Sequence, residues 1–290
     1  MPVRVERGQR GYTGLVDPDD EKRAGAAPEE RSWTEGNRAH WEAQAAAHGT
    51  AGAASWGDGH AMELEVKNLL PHVPQGGRVL DAGCANGATT FRLLEGRPAA
   101  VRAFDRSPQM IEAARRAAVA ADPGGVIGFF EADILDVPEP DATFDFACTN
   151  RVLINLPGWP AQRQAIQEIH RMLRPGGVYV LTEEFAGSLR NLNALRALAG
   201  LPALTPRPFN RPLEEEALES FLSPLFATQE IARFMSPYFV ATRFLRDLTL
   251  TGDEPPSYDS ALHRAAAALP VTPRSGDFGG IKAYVLRKRP

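Results

Sequence analysis

The chain has 290 residues, of which 43% are hydrophobic and 23% charged. These proportions are ordinary for a globular enzyme and exclude a wholly disordered or fibrous chain. The formal net charge is only −4, and the basic residues are dispersed along the chain. Binding to nucleic acid needs a concentrated basic face, so we do not expect nucleic acid as the main partner.

Cys84 and Cys148 are the two cysteines, too few for a disulfide framework, and no CxxC or Cys/His cluster indicates a metal site. No apolar stretch reaches the roughly 20 residues that span a bilayer, and the first thirty residues lack the apolar segment of a signal peptide. The sequence therefore predicts a cytoplasmic protein with no membrane span and no metal, and it leaves the oligomeric state open.

Residues 1–31 are rich in glycine, proline and charge without periodicity, and we interpret them as a disordered tail. Residues 32–76 show helical patterns on both sides of a loop at 55–58. From residue 77 to the C-terminus, short apolar strands alternate with amphipathic helices, which is typical of right-handed βαβ crossovers and a mainly parallel sheet.

The pattern after residue 77 predicts individual elements. Ser107 and Pro108 suit the N-cap and the first turn of a helix over 108–121. Helical insertions at about 188–222 and 237–276 interrupt the alternation and are expected at a binding edge. The predicted strands are 78–81, 101–105, 128–132, 144–149, 177–182, 227–234 and 281–286. The other two predicted helices are 89–95 and 162–173.

A glycine-rich turn follows the first predicted strand, where backbone N–H groups at a helix N-terminus face a ligand. A nicotinamide dinucleotide and S-adenosylmethionine are the two candidates. The dinucleotide fingerprint needs glycine where this chain has Ala85, between Gly83 and Gly87. Asp81 would repel a pyrophosphate but pair with the ammonium of a methionine group. These charges favour S-adenosylmethionine.

Five segments in chain order resemble the class I S-adenosylmethionine-dependent methyltransferases, of the type that acts on small molecules. Together they run through about residues 77–185 and are more specific than the glycine turn alone. They are the D-x-G-x-x-x-G turn beginning at Asp81, FDRSPQMI at 104–111, EADI at 131–134, FD at 144–145, and EIHRMLRPGG at 168–177.

The resemblance implies a doubly wound, mainly parallel, seven-stranded Rossmann-like sheet in a methyltransferase domain of residues 77–290, with its cofactor-binding core at 77–185. It implies that residues 32–76 form a helical lid over the cofactor. By resemblance, Gly83 and Gly87 lie around the methionine and ribose groups, and Asn150 lines the methionine end. Ala85 stands where the family commonly has glycine.

The resemblance also places the nucleoside end of the cofactor. Asp105 resembles the acid that accepts both ribose hydroxyls, and Asp133 the residue that binds the adenine amine, with Ile134 and Arg106 beside the ring. Capping of the following helix by Asp105, and a turn role for Asp133, are the alternatives. The position of Asp105 after an apolar strand, 24 residues beyond Asp81, favours the ribose role.

The acceptor side is less defined, and no catalytic residue is assigned. Asn155 stands where many hydroxyl-methylating relatives have histidine, and an amide cannot take a proton at neutral pH. Asn155, His60 and Glu183 are the candidates for a catalytic role, His60 and Glu183 as a base, and a solvated charge is the alternative for Glu183. Weak candidates for acceptor contacts are Trp56 in the loop, Tyr238 and Arg243.

The sequence thus predicts transfer of a methyl group from S-adenosylmethionine to a small molecule, with S-adenosylhomocysteine as the product, in specialised or cofactor and lipid metabolism. An NAD(P)-dependent oxidoreductase and a non-catalytic S-adenosylmethionine-binding protein on the same fold are the alternatives. The acceptor, and whether methylation is on oxygen, nitrogen or carbon, stay open.

Overall fold

The structure is a computed structural model that describes residues 28–51, 54, 56–122, 124–249, 257–272 and 274–290. Residues 1–27 of the predicted tail and Ser55 of the predicted loop lie outside these ranges. The first described helix, α1, is Pro28–His48, so the helix begins four residues before the expected boundary of the tail. The loop at 56–58 then leads into α2, Gly59–Leu69.

Seven strands and eight further helices complete the described chain. The strands are β1 Arg78–Ala82, β2 Ala100–Asp105, β3 Ile127–Glu131, β4 Phe144–Asn150, β5 Leu173–Glu184, β6 Phe226–Ala232 and β7 Ile281–Lys288. The helices are α3 Ala88–Leu93, α4 Pro108–Ala121, α5 Trp159–Met172, α6 Ala186–Leu198, α7 Glu215–Leu222, α8 Ser236–Val240, α9 Arg246–Thr249 and α10 Ala261–Ala267.

The strands form one sheet in the order β3-β2-β1-β4-β5-β7-β6. The pairs from β3 through β5 are parallel, whereas β7 runs antiparallel to both β5 and β6. The chain order reverses at β1, with β2 on one side and β4 on the other. The predicted doubly wound, mainly parallel seven-stranded sheet is confirmed, and the reversal at β1 is where such sheets bind ligands.

Local sequence explains the helix that follows β2. The Ser107 hydroxyl accepts a hydrogen bond from the Met110 N–H at 3.3 Å, and Pro108 occupies the first turn, where its missing N–H costs nothing. Met110 and Ile111 begin the buried face of α4, where Ile111 packs toward the sheet and Met110 packs toward α1. The helix therefore starts directly after the carboxyl end of β2 and fixes Asp105 at that edge.

The core lies on both faces of the sheet. On one face, α5 and α7 cover the strands, and Ile166, Ile169 and Leu218 are fully buried against Phe144 and Tyr179. The two central strands β1 and β4 are apolar on both sides, as expected for strands covered on both faces. Because the strands bury so many side chains, their pairing register is fixed: a slip by one residue would turn the buried side chains outward.

The region after β5 differs in detail from its prediction. The first predicted helical insertion is two helices, α6 and α7, joined by the segment 199–214, which has little regular structure. That segment returns across the carboxyl edge of the sheet, where Arg211 N–H donates to Ile154 C=O at 2.7 Å and Leu213 N–H to Glu184 C=O at 2.9 Å. The second insertion holds α8, a π-helical turn at Ala241–Leu245, α9 and α10.

The start of β5 differs from its prediction. Strand β5 begins at Leu173, so the Arg-Pro-Gly-Gly sequence that predicts a turn lies within the strand, with Gly176 in the left-handed region at φ 76°.

Among the described residues, no helix combines the length and the apolar character that crossing a membrane requires.

Candidate active site

A cleft that is partly open to solvent lies at the carboxyl ends of β1, β2 and β4, with α1 above it. Eight of the residues that the sequence predicts for the site line this cleft: Gly83, Ala85, Asp105, Arg106, Asp133, Ile134, Asn150 and Asn155. The other lining residues are Asn37, Trp41, Phe104, Met110, Ala132, Arg151, Val152 and Leu156.

The glycine turn, residues 83–87, forms one wall of the cleft. The N–H groups of Gly83 and Cys84 both donate to Phe104 C=O at 2.8 Å, which ties the turn to the end of β2. Gly83 has φ 76°, and a Cβ there would collide with Val152. Only glycine therefore fits at this position.

Asp105 ends β2 and braces the glycine turn. Its Oδ2 accepts from Ala85 N–H at 2.9 Å, and its Oδ1 accepts from Ser107 N–H at 2.9 Å. Burial raises the pKa of this carboxyl, and the backbone hydrogen bonds oppose that rise. A carboxylate has about four acceptor sites, so the cleft-facing lone pairs of Asp105 remain available to a ligand.

Ala85 takes up the positive φ that the missing glycine would have supplied. Its φ is 47°, in the left-handed region that L-residues other than glycine seldom adopt. Its N–H is already donated to Asp105. The backbone at Ala85 thus supports the Asp105 carboxylate instead of offering a free donor to a phosphate.

Asn150 ends β4 on the opposite wall, and Glu65 of α2 orients it. Asn150 Nδ2 donates to Glu65 Oε2 at 3.2 Å, while Arg151 Nε donates to Glu65 Oε1 at 2.9 Å. Because a carboxylate only accepts, this contact fixes which end of the amide is nitrogen. The Asn150 Oδ1 is buried and has no hydrogen-bond partner among the described residues.

Glu65 is a site residue that the sequence reasoning missed. It is 1% exposed, and burial raises its pKa while the Arg151 guanidinium opposes the rise. The Trp56 ring lies under Arg151, with 4.8 Å from the guanidinium carbon to the ring centroid. A charge on a predicted helix usually indicates a solvated face, so nothing in the local sequence distinguishes Glu65.

Asn86, in the glycine turn, connects the cleft to the N-terminal helix. Its side-chain nitrogen donates to Gly49 C=O at 2.9 Å and to Ala51 C=O at 2.8 Å. The residue is 1% exposed. These two bonds hold the end of α1 against the turn, although the sequence offers no sign of the pairing.

Asn155 faces a second amide across the cleft. Asn37 Nδ2 donates to Asn155 Oδ1 at 3.4 Å, and Asn155 Nδ2 donates to Arg151 C=O at 2.7 Å. Asn37 is on α1 and is almost fully buried. The pair closes the cleft between α1 and the loop after β4, and neither amide can accept a proton at neutral pH.

Asp133 and Ile134 lie at the end of the cleft next to β3. Asp133 Oδ1 accepts from Leu135 N–H at 2.9 Å, so the turn role considered above is realised, while the residue also lines the cleft. Ile134 is 6% exposed. Arg106, beside them, donates to Thr34 C=O at 3.3 Å and so joins α1 to this end.

Asp81 and Gly87 do not line the cleft. Asp81 is 2% exposed, and its Oδ2 accepts from the Thr90 hydroxyl at 2.6 Å, behind the glycine turn. Burial raises its pKa to about 6. The Asp81 side chain points toward α3 and away from the cleft, so its position does not support the expected pairing with the ammonium of a methionine group. Gly87 is needed for its φ of 81° and its contact with Phe129, where α3 begins.

Glu183 is a structural carboxyl and is not placed to act as a base. It is fully buried, and its oxygens accept from the backbone N–H groups of Val152, Leu153 and Ile154 at 3.1, 3.0 and 3.3 Å. Burial raises its pKa to about 7, against those hydrogen bonds. Glu183 holds the loop after β4. His60, on α2, is also absent from the cleft lining.

Tyr238 and Arg243 belong to what we call the Asp58 cluster, formed by Asp58, Tyr238 and Arg243. The Tyr238 hydroxyl donates to Asp58 Oδ1 at 2.6 Å, and Arg243 Nη2 donates to Asp58 Oδ2 at 2.9 Å. Asp58 and Tyr238 are buried, and Trp56 lies nearby in a separate groove with Glu63 and Arg92. None of the three predicted acceptor contacts lines the cleft.

The segment that surrounds the cleft is similar to known proteins. Residues 79–177 match the family model described as a methyltransferase domain. This segment of the chain is therefore similar to a methyltransferase domain. The match covers the strands β1 to β4 and the helix α5 that surround the cleft, and it includes the glycine turn, Asp105, Asp133 and Asn150.

Two relatives and one structure illustrate the similarity. The malonyl-[acyl-carrier protein] O-methyltransferase of Enterobacter lignolyticus (strain SCF1) is 36% identical over 179 residues, which are 60% of this chain and 65% of the relative. The 27-O-demethylrifamycin SV methyltransferase of Amycolatopsis mediterranei (strain S699) is 36% identical over 110 residues, which are 38% and 39% of the two chains. The chain thus spans less than two thirds of these relatives.

A chain from the complex between the Haloferax volcanii Trm112 methyltransferase activator and a methyltransferase superposes with a TM-score of 0.58. It is 17% identical, and the superposition covers 86% of this chain and 98% of that chain. At this identity the likeness shows the fold alone. The fold agrees with the strand order described above.

Proposed function

We propose that the chain transfers a methyl group from S-adenosylmethionine to a small-molecule acceptor. The two named relatives support this proposal, because their names describe methyl transfer to an acyl-carrier-bound malonyl group and to a rifamycin. The alignment with the first relative also extends well beyond the matched domain.

The observation that carries the proposal is the unpartnered Asn150 Oδ1 in the cleft. A buried acceptor without a donor is costly, by about 1–3 kcal/mol, so a ligand that brings a donor is favoured there. The ammonium of the methionine group has three N–H donors, whereas a pyrophosphate has none. The oxygen therefore favours S-adenosylmethionine over NAD or NADP.

The other cleft residues fit the same cofactor in one orientation. We assign the ribose hydroxyls to the free lone pairs of Asp105 and the adenine to Asp133, Ile134 and Arg106. The amino-acid end then lies between Gly83 and Asn150. The remaining part of the cleft, next to Asn155, is left for the acceptor.

When bound, S-adenosylmethionine supplies an electrophilic methyl group on a positively charged sulfur. The residues of this chain then have to align the acceptor with that methyl group and exclude water. Trp41 and the apolar Val152 and Leu156 line the acceptor side and serve this purpose. The helix α1, held by Asn86 and Arg106, is assigned as the lid.

Thermal denaturation in parallel with S-adenosylmethionine, S-adenosylhomocysteine, NAD and NADP tests the cofactor. A ligand that binds only the folded state raises the melting temperature, and at 100 times its Kd it adds about 2.7 kcal/mol. We expect shifts with the two adenosyl ligands alone. A shift with a nicotinamide cofactor and none with the adenosyl ligands would reject the proposal.

Transfer itself is tested with methyl-labelled S-adenosylmethionine and a pool of small metabolites as acceptors. Label in an organic product supports the enzyme. A clear shift with S-adenosylmethionine, combined with no labelled product from any pool, would favour the alternative of a non-catalytic binding protein on the same fold.

A further inference from the structure

The acceptor end of the cleft is built from side chains that cannot take a proton. It is lined by Asn37, Trp41, Arg151, Val152, Asn155 and Leu156. Amide, indole and aliphatic groups have no basic site at neutral pH, and a guanidinium stays protonated. Within the part of the chain that the structure describes, this end of the cleft therefore offers no general base.

The nearby carboxylates are committed to other partners. Glu65 accepts from Asn150 and Arg151, and Glu183 accepts from three backbone N–H groups. Glu184 accepts from Asn210 Nδ2 at 2.8 Å. None of the three lines the cleft.

The His40 imidazole on α1 lies beside the cleft, with 5.1 Å between its ring centroid and that of Trp41, but does not line it. The His40 ring stacks on Phe209, with 4.4 Å between the ring centroids and an interplanar angle of 26°. This contact joins α1 to the segment 199–214. His40 is not among the cleft-lining residues.

The same segment carries two exposed guanidinium groups beside the acceptor end. The Arg211 backbone is bound to Ile154, and its guanidinium lies 5.4 Å from the centroid of the Trp33 ring. Arg207 is close enough to lower the pKa values of His40 and Glu184. Among the described residues, neither arginine forms an ion pair, although Glu184 partly offsets the charge of Arg207, so this segment adds positive charge near the acceptor end.

We propose that the acceptor is a carboxylic acid, bound as its carboxylate and converted to its methyl ester. This inference rests on the proposed function. A carboxylic acid with a pKa of about 4 is already ionised at neutral pH, so it needs no base from the protein. Arg207 and Arg211 attract the anion toward the cleft, and Asn37 and Asn155 can donate to its oxygens.

The reaction balances without a proton transfer. A carboxylate oxygen supplies the electron pair of the new bond to the methyl carbon, and the bond between that carbon and sulfur breaks. The electron pair of the broken bond stays on sulfur, giving neutral S-adenosylhomocysteine and a methyl ester. An alcohol or a protonated amine would have to lose a proton, and the described residues that line the acceptor end of the cleft offer no group to take it.

The test uses the full chain, methyl-labelled S-adenosylmethionine and matched acceptors. The acids are hexanoate, benzoate and monoethyl malonate, and the controls are 1-hexanol, benzyl alcohol, hexylamine and benzylamine. Mild alkali releases the label of a methyl ester as volatile methanol, whereas methyl ethers, methylamines and methyl phosphates retain it. We expect label only with acids, and we expect all of it to be alkali-labile.

The pH profile of the acid reaction gives a second measurement. For the acid that is methylated, kcat/KM should be flat between about pH 6.5 and pH 8.5, because the acceptor stays ionised throughout. A base-assisted reaction would instead rise with pH, and His40→Ala or Glu184→Gln would remove the rise. Such a rise, with its loss in either variant, overturns the proposal.

The double variant Arg207→Glu, Arg211→Glu tests whether these two arginines attract the acid toward the cleft. It should raise KM for the acid about tenfold, more at low salt than at high salt, with little change in kcat. The control is the double variant Arg287→Glu, Arg289→Glu, an equal charge change at the opposite edge of the sheet, where Arg287 donates to Gly176 C=O and Arg289 to Ser223 C=O. An equal rise of KM in the control would show that the net charge of the protein, and not the position of Arg207 and Arg211, determines KM for the acid.

The outcomes separate this proposal from the function on which it rests. Loss of the thermal shift with S-adenosylmethionine would reject the methyltransferase assignment itself. A preserved shift together with alkali-stable label, or with no alkali-labile label from any of the three acids, would reject the carboxylic acid and leave the cofactor assignment standing.

Discussion

Two buried aspartates, Asp105 and Asp58, show how this fold separates binding from support. Asp105 accepts from two backbone N–H groups, lines the cleft and keeps free lone pairs on that side. Asp58 is fully buried and accepts from the Tyr238 hydroxyl, the Arg243 guanidinium and the Ala61 N–H. The protein itself thus satisfies the Asp58 carboxylate, whereas the Asp105 carboxylate lies at the cleft with lone pairs left for a ligand.

Removing the supporting carboxylate should have the largest effect. Asp58→Ala leaves Arg243 and Tyr238 without their partner, and breaking a buried pair on one side costs about 3–5 kcal/mol. We expect that loss in the free energy of unfolding, measured by urea denaturation. The control is Asp259→Ala, in an exposed pair with Arg264, which should cost under about 1 kcal/mol. Equal losses in both variants would remove the distinction.

Removing the ligand-facing carboxylate should affect binding more than folding. Asp105→Ala should weaken binding of S-adenosylhomocysteine about 100-fold or more, since hydrogen bonds to a charged group contribute about 1.5–3 kcal/mol each. Isothermal titration calorimetry measures this change. Asp122 is the matched control, because it too accepts from two backbone N–H groups, those of Val126 and Ile127, away from the cleft. Unchanged affinity in Asp105→Ala would reject the ribose assignment.

The unpartnered oxygen of Asn150 gives a smaller but more selective effect. Asn150→Ala should weaken S-adenosylhomocysteine about tenfold and leave 5′-methylthioadenosine unchanged, because the latter lacks the amino-acid group. Asn193 serves as the control, since both ends of its amide are bound to Leu204. If both ligands lost affinity equally in Asn150→Ala, the oxygen would not contact the ammonium.

Asp81 and Glu183 form a third group, buried without a cation and away from the cleft. Their pKa values are raised to about 6 and about 7, so the folded state binds more protons than the unfolded state above about pH 4. The free energy of unfolding should therefore fall as pH rises toward 7, by up to about 1.4 kcal/mol per pH unit for each group. Their full stabilising contribution is present only below the unfolded-state pKa.

Denaturation of the wild type and of Glu183→Gln between about pH 4.5 and pH 7.5 measures this effect, since the variant lacks one titrating group. The wild type should lose more stability than the variant over that interval. Parallel curves would mean that Glu183 has an ordinary pKa in the folded protein.

Much of the fold follows from local sequence. The Ser107 and Pro108 pair predicts the start of α4, and apolar runs between helices predict the parallel strands. Because parallel strands end at one edge of the sheet, Asp105 and Asn150 were predictable as neighbours of the cleft. What the periodicity of a strand does not give is the direction of a polar side chain at its end, and the Asp81 side chain is an example.

Contacts between distant parts of the chain were not predictable. Tyr238 and Arg243 look like residues of an exposed binding helix until Asp58, more than 170 positions earlier, is placed beside them. Glu65 and Asn150 are 85 positions apart. Glu183 accepts from three backbone N–H groups, which have no signature in the sequence. Each of these roles depends on the tertiary fold and on no local pattern.

Asn86 has a practical consequence for how the chain can be divided. It lies inside the segment that matches the methyltransferase family, yet both acceptors of its amide, Gly49 and Ala51, lie outside that segment. A fragment trimmed to the matched boundaries would expose this amide and the adjoining turn to water. A stable fragment therefore has to include residues before the segment that matches the family model.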